Sequence, residues 1–288
     1  MVNFTPAQTF NYAKNEHINY EIHGNGPVHI LFLHGFAASL NTWHDILPFF
    51  DKGKFTLYLI DLIGAGFSSK PLDSDYSIKG NAKVIQRFTK EKNIKNYFLV
   101  GHSFGSGVAL ITALDLLDSN DFKPRALVLI DAAVYKTELP FFVKYLRLPI
   151  LNRLFLSLTS AEYKSKYTLK RLYYDQSKIT NQIVDRYAFF MTQKDYDYAL
   201  IETAHQIIPN EFSFYNNKYS SLHIPVLIIW GEQDSALPLS SGQRLHSELP
   251  NSRLEVISGC GHNPQEELPE KTFTLIMLFI RSNEGNKQ

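Results

Sequence analysis

The sequence predicts an α/β domain built on a mostly parallel sheet, with a helical segment inserted between two of its strands. Three observations carry this. Short runs of β-branched and aliphatic residues recur along the chain, each closing on a glycine or a polar residue. Segments with helical spacing lie between them. The alternation stops over residues 134–218, which are aromatic-rich and helix-patterned. Runs without a polar face suit strands buried on both sides, in a sheet covered by helices.

Residues 17–23 alternate, with Ile18, Tyr20 and Ile22 on one side, as an antiparallel edge hairpin would. Gly24-Asn25-Gly26-Pro27 then breaks the chain. Apolar strands follow at 28–33, 55–60, 97–100, 126–130, 226–230 and 254–257. Helical segments are expected at 78–92, 106–117, 241–249 and 270–281. Strand followed by helix implies right-handed crossovers, with functional groups collecting at the carboxyl ends of the strands. The division is therefore 1–133 and 219–288 for the two parts of the core, and 134–218 for a helical cap. Residues 282–288 read as a frayed tail.

Pro140, Pro149 and Pro209 punctuate the cap. An apolar stripe runs through Phe141, Phe142, Tyr145, Leu146, Leu148, Ile150, Leu151, Leu154, Phe155 and Leu158, interrupted by Lys144, Arg147 and Arg153. It predicts a face packed on the main domain. In its functional version the stripe is a lid lining an acyl or aromatic pocket. A membrane-surface helix is the third reading.

Bulk properties exclude some classes. The 288 residues are 44% hydrophobic and 20% charged, with a net charge of +1, so charge offers no basis for a nucleic-acid or membrane-surface role. One cysteine, Cys260, forms no intramolecular disulfide. The N-terminus lacks the basic and apolar stretches of a secretory signal. The apolar stretch 273–280 is too short to span a bilayer. A cytoplasmic enzyme is the resulting expectation.

The chemistry concentrates at Gly101-His102-Ser103-Phe104-Gly105, between a strand and a helix. A sharp strand-to-helix turn there holds the serine in a strained backbone conformation, so that its hydroxyl projects from the sheet end. The following helix aims its N-terminal N–H groups at the same place. The pattern in this setting resembles the nucleophile turn of the α/β-hydrolase superfamily, and the likeness covers about residues 10–281.

The resemblance implies a serine, acid, histidine triad in that chain order. Ser103 is the nucleophile. Gly261-His262-Asn263-Pro264 supplies His262 as general base after the last strand. Asp234, in Trp230-Gly231-Glu232-Gln233-Asp234, orients it, with Glu232 and Asp131 as competitors for the acid. Backbone N–H groups of Phe36 and Phe104 form the oxyanion site. The His34-Gly35-Phe36 form of that loop resembles capped esterases, C–C bond hydrolases and epoxide hydrolases. His34 reads as structural, as does Asp61 in Asp61-Leu62-Ile63-Gly64-Ala65-Gly66. A serine at 103, where epoxide hydrolases and haloalkane dehalogenases carry aspartate, argues against both of those activities.

The expected reaction is hydrolysis of a small-molecule carboxylic ester through an acyl-enzyme, without metal or organic cofactor. C–C bond hydrolysis of vinylogous diketones is the alternative that uses the same triad. The cap carries four more positive than negative charges, which keeps a methyl esterase acting on an acidic acyl carrier protein in view. Perhydrolysis through the same serine is a further alternative. A non-catalytic receptor on the same fold is the reading from another class. His17, His23, His29, His44, His205, His223 and His246 show no metal-ligand spacing. Cys260 reads as a free thiol rather than a nucleophile. Gly24-Asn25-Gly26 and Gly64-Ala65-Gly66 lack the spacing and the lysine of a phosphate loop.

Overall fold

Eight strands form a single sheet in the order β1-β2-β4-β3-β5-β6-β7-β8. They are β1 Gln8–Ala13, β2 Glu16–His23, β3 Val28–Leu33, β4 Phe55–Ile60, β5 Phe98–His102, β6 Ala126–Ile130, β7 Val226–Gly231 and β8 Ser252–Ile257. The computed structural model describes residues 4–119, 121–135, 141–148, 152, 156, 158–207 and 215–284. Strands β3 to β8 run parallel, and β1 and β2 are antiparallel at one edge. Every residue of β4, β5, β6 and β7 is buried, as their unbroken apolar runs require.

The helices are α1 Ile78–Glu91, α2 Phe104–Asp115, α3 Phe141–Leu146, α4 Ala161–Leu172, α5 Asn181–Met191, α6 Tyr196–Gln206, α7 Leu239–Glu248, α8 Pro264–Glu267 and α9 Pro269–Asn283. Helices α1, α4 and α5 start on hydroxyl caps. The Ser77, Ser160 and Thr180 side chains accept from the N–H groups of Gly80, Tyr163 and Ile183. Helices α3 to α6 lie between β6 and β7, where the chain was expected to leave the sheet.

Several boundaries differ from the sequence reading. Strand β1 was not foreseen: its sequence is polar, and Phe10 alone of its side chains is buried. Helix α2 begins at Phe104 rather than 106, because the turn at Ser103 feeds it directly. Helix α9 continues through Ser282 and Asn283, where a frayed tail was expected. In the apolar stripe, Leu146 is buried but Leu148 and Leu158 are exposed, so the stripe is not one continuous packed face. Ile150, Leu151, Arg153, Leu154, Phe155, Pro140, Pro149, Pro209 and the side chains of Phe141 and Phe142 lie outside the described residues.

Two apolar layers sandwich the sheet. On one side Leu31, Leu33, Leu99 and Leu129 pack with α1 and α2 residues such as Ile85 and Val108. On the other, Phe32, Val100 and Val128 pack with Trp43, Ile276 and Ile280.

Asp61, at the end of β4, braces the loops on the site side. It is fully buried and accepts from Leu40 N–H (2.7 Å), Phe67 N–H (3.0 Å) and Asn19 Nδ2 (2.8 Å). Burial pushes its carboxyl up to about 6, against the lowering pull of those donors. In Asp61→Asn an N–H2 must face N–H donors, which costs about 1–3 kcal/mol. The melting temperature at neutral pH should fall by several degrees. A carboxyl raised in the fold adds stability as pH drops through about 6 towards its ordinary value, so the gap to wild type should widen at pH 5. Equal melting curves at both pH values would remove Asp61 as the brace.

Candidate active site

The site forms at the carboxyl ends of β5, β7 and β8. Ser103 has φ 51° and ψ −113°, a left-handed strain that a non-glycine residue adopts only when its surroundings impose it. Those surroundings are visible. Ser103 N–H donates to Ile130 O at 2.8 Å, and Ser103 O accepts from Ala133 N at 3.1 Å. A Cβ on Gly101 would lie 2.4 Å from Gly105 O, and one on Gly105 would lie 2.3 Å from Leu33 O, so the two glycines of the motif let β5, α2 and β3 meet. Ser103 is the N-cap of α2, yet its hydroxyl makes no cap hydrogen bond. It lines the cleft instead.

His262 stands in the loop between β8 and α8 and lines the same cleft. Its Nδ1 lies 2.6 Å from Asp234 Oδ2. A carboxylate only accepts, so Nδ1 carries the hydrogen and Nε2 keeps its lone pair. Asp234 is fixed in turn: its Oδ1 accepts from Ala236 N–H (2.7 Å) and Leu237 N–H (3.0 Å). Both side chains are almost fully buried. A backbone bond from His262 N to Leu172 O, 2.7 Å long, anchors the histidine loop to the end of α4.

The competing acids behave differently. Glu232 is exposed, and its carboxylate bonds Gln233 instead of the histidine. Asp131 is fully buried, with Oδ1 accepting from Gly231 N–H at 2.9 Å and no partner for Oδ2 among the described residues. Burial first, then the neighbouring Asp234 carboxylate, raises its carboxyl well above the usual range.

Two further histidines, His34 and His102, are disfavoured in their charged form. His102 Nε2 donates to His262 O at 2.7 Å, and Gly35 leaves room for its ring, since a Cβ there would lie 2.8 Å from His102 Nδ1. Burial and the nearby His262 and His34 hold His102 well below the ordinary imidazole range. His34 Nδ1 donates to Gly35 O (2.8 Å) and its Nε2 accepts from Leu62 N–H (3.0 Å). Burial lowers it to about 4, which fits a structural role. Cys260 is buried and absent from the cleft lining, its thiol raised by burial and by Glu267 and Asp131.

Phe36 lines the same cleft as Ser103, just before Ala37 at φ 57°. Phe104 opens α2, where the first N–H groups have no intrahelical acceptor. The cleft has ≈ 940 Å³ of empty space. Its wall from the inserted helices is mainly apolar, with Leu146, Leu156, Leu172, Met191 and Leu200.

Sequence reasoning missed the polar cluster under the histidine loop. Glu266, fully buried, accepts from Asn263 Nδ2 (2.9 Å), Tyr187 Oη (2.9 Å) and Tyr173 Oη (3.1 Å). Arg186 reaches it at 3.4 Å and grips Asp45 with both terminal nitrogens (2.8 and 2.9 Å). Glu267 accepts from Tyr174 and Asp175 N–H groups. The acidic pair directly after Pro264-Gln265 was its one trace in the sequence. Lys164, also unforeseen, is buried in the cleft wall with Nζ on Leu156 O at 3.0 Å.

A family model described as "alpha/beta hydrolase fold" matches residues 28–269. The chain belongs to the α/β-hydrolase family. Among curated proteins, the hydrolase is 30% identical over 268 residues to monoacylglycerol lipase ABHD6 of Mus musculus, covering 90% of this chain and 78% of that one. Among solved structures it resembles a meta-cleavage product hydrolase from Pseudomonas fluorescens IP01, with TM-score 0.79, 21% identity, and 96% and 98% of the two chains covered. An esterase from Thermogutta terrifontis gives TM-score 0.77 at 19% identity, with 96% and 99% covered. These structural likenesses concern the fold. No helix among the hydrolase's described residues is long and apolar enough to cross a membrane.

The two acids can be separated by amide substitution. Asp234→Asn should lower kcat/KM by about 10³–10⁴, because the amide stabilises the wrong imidazole tautomer. Asp131→Asn leaves the His262–Asp234 contact in place and should stay within about tenfold of wild type. Reversed magnitudes in ester kinetics would make Asp131 the working acid.

Proposed function

We propose that this α/β-hydrolase cleaves carboxylic esters through an acyl-enzyme on Ser103. The observation that carries the reading is the 2.6 Å contact between His262 Nδ1 and Asp234, made beside a serine held in a left-handed turn and lining the same cleft. In this reading His262 Nε2 takes the Ser103 proton as the hydroxyl attacks the ester carbonyl. The N–H groups of Phe36 and Phe104 receive the oxyanion. His262 then returns the proton to the departing alcohol. Water, activated by the same nitrogen, attacks the acyl-enzyme and restores the serine. Asp234 holds the imidazole in its tautomer and stabilises the imidazolium.

The helices between β6 and β7 act as a cap over residues 134–218, and their apolar side chains supply the acyl wall. That wall supports substrates with an aliphatic chain, and the relative named a monoacylglycerol lipase makes glycerol monoesters the natural first class to offer.

An ester series from acetate to decanoate, with a monoacylglycerol added, tests the proposal on wild type and Ser103→Ala. Turnover should favour the longer chains and fall by at least about 10³ in the variant. A fluorophosphonate should label Ser103. Labelling with turnover of vinylogous diketones alone would replace ester cleavage by C–C cleavage, and no label with no turnover would leave a binding protein.

A further inference from the structure

The structure assigns a second candidate site on the far side of the Asp61 brace, where Glu21, His23 and His44 converge. We propose that these three residues bind a divalent transition-metal ion of the zinc type. Glu21 and His23 are two apart on β2, so their side chains leave the same face of the strand. His44 follows directly on the 3-10 turn Leu40–Trp43. Both imidazoles aim Nε2 at one atom: Glu21 Oε2 lies 2.7 Å from His23 Nε2 and 2.9 Å from His44 Nε2. One ligand atom from each residue falls within 4.8 Å of the others. The rings meet edge to face, with centroids 6.2 Å apart.

The donor set selects the ion. Two imidazole nitrogens and one carboxylate oxygen suit zinc, cobalt, nickel or copper, whereas magnesium and calcium prefer oxygen ligands. Tetrahedral zinc with ligand bonds of 2.0–2.1 Å sets its ligand atoms about 3.3 Å apart. The two hydrogen bonds therefore need to open by only about 0.5 Å to admit the ion. Each Nε2 hydrogen is replaced by the metal as the imidazole takes up its other tautomer, with the proton on Nδ1. The carboxylate and two neutral imidazoles sum to one negative charge, which favours a cation. Side-chain exposures of 21% to 31% leave the cluster open to a dissolved ion, with room for water in the fourth position.

Such an ion would tie β2 to the segment that follows the Phe36 loop. That segment is already held at Leu40 by Asp61 and at Asn41 O by Arg186. The ion replaces the His44–Glu21 hydrogen bond with a stronger tie, so its effect is on stability, through preferential binding to the folded chain.

The test uses the full chain, free of any histidine tag, titrated with zinc chloride by calorimetry and with cobalt chloride by visible absorption. Wild type should bind one zinc per chain at this site, raise its melting temperature, and give the intense absorption of low-coordinate cobalt; magnesium should do neither. His23→Gln and His44→Gln should each weaken zinc binding by tenfold or more, and Glu21→Gln likewise, since loss of even an outer partner costs 10–100-fold. Circular dichroism spectra and cooperative thermal unfolding of these variants report that they are folded. Zinc affinity unchanged in the His23→Gln/His44→Gln double variant would overturn the assignment and point to the His102, Asp131 and His262 group. Absence of zinc binding to wild type would overturn it outright. Neither result depends on whether Ser103 is a nucleophile.

Discussion

The left-handed turn at Ser103 is the constraint on which the rest of the site depends. A non-glycine residue in that region costs about 1–3 kcal/mol and persists only where packing over-determines it. Here the N–H and the C=O of the strained residue are both bonded, to Ile130 and Ala133 respectively. Ser106 Oγ adds a bond to Gly101 O at 2.7 Å, one residue pair away. The turn is thereby clamped between β5 and β6, and the position of the hydroxyl follows from the sheet register rather than from the serine's own preference.

Around that turn the buried electrostatics are sparse in charge. Burial disfavours the charged forms of His34, His102 and Asp131, and Asp234 adds to the effect on Asp131. Asp234, by contrast, accepts from two backbone N–H groups and from the His262 ring. The ring thereby has one matched carboxylate partner, in surroundings where an unpaired ion would be expensive. Glu266 is balanced separately, by two tyrosine hydroxyls and Arg186, below the histidine loop.

Much of this was legible in the chain. Four of the eight strands are entirely buried and so read as apolar runs, and Gly101-His102-Ser103-Phe104-Gly105 announces its own turn because the steric demand falls on specific positions. His262 and Asp234 were singled out because each follows a strand and matches a position of the family's pattern, and the fold brings their side chains into contact. The choice between Asp234 and Asp131 was not legible, because both follow strands and both receive backbone N–H groups, and only in three dimensions does Asp234 Oδ2 come within 2.6 Å of the His262 ring. Strand β1 escaped because an edge strand with one buried side chain lacks a hydrophobic signature. The Arg186–Glu266–Asp45 cluster escaped for a different reason. Its members are 80 and 141 residues apart in pairs, and no local spacing records such a meeting. His23 and His44, dismissed on spacing alone, meet for the same reason.

The bond from His262 N to Leu172 O joins the end of α4 to the loop that carries the imidazole. Glu267 repeats the connection through Tyr174 and Asp175. Evolutionary or engineered exchange of the inserted helices is therefore not modular at this seam. A chimera that imports a new substrate wall must also import, or rebuild, the carbonyl at 172 and the donors at 174 and 175.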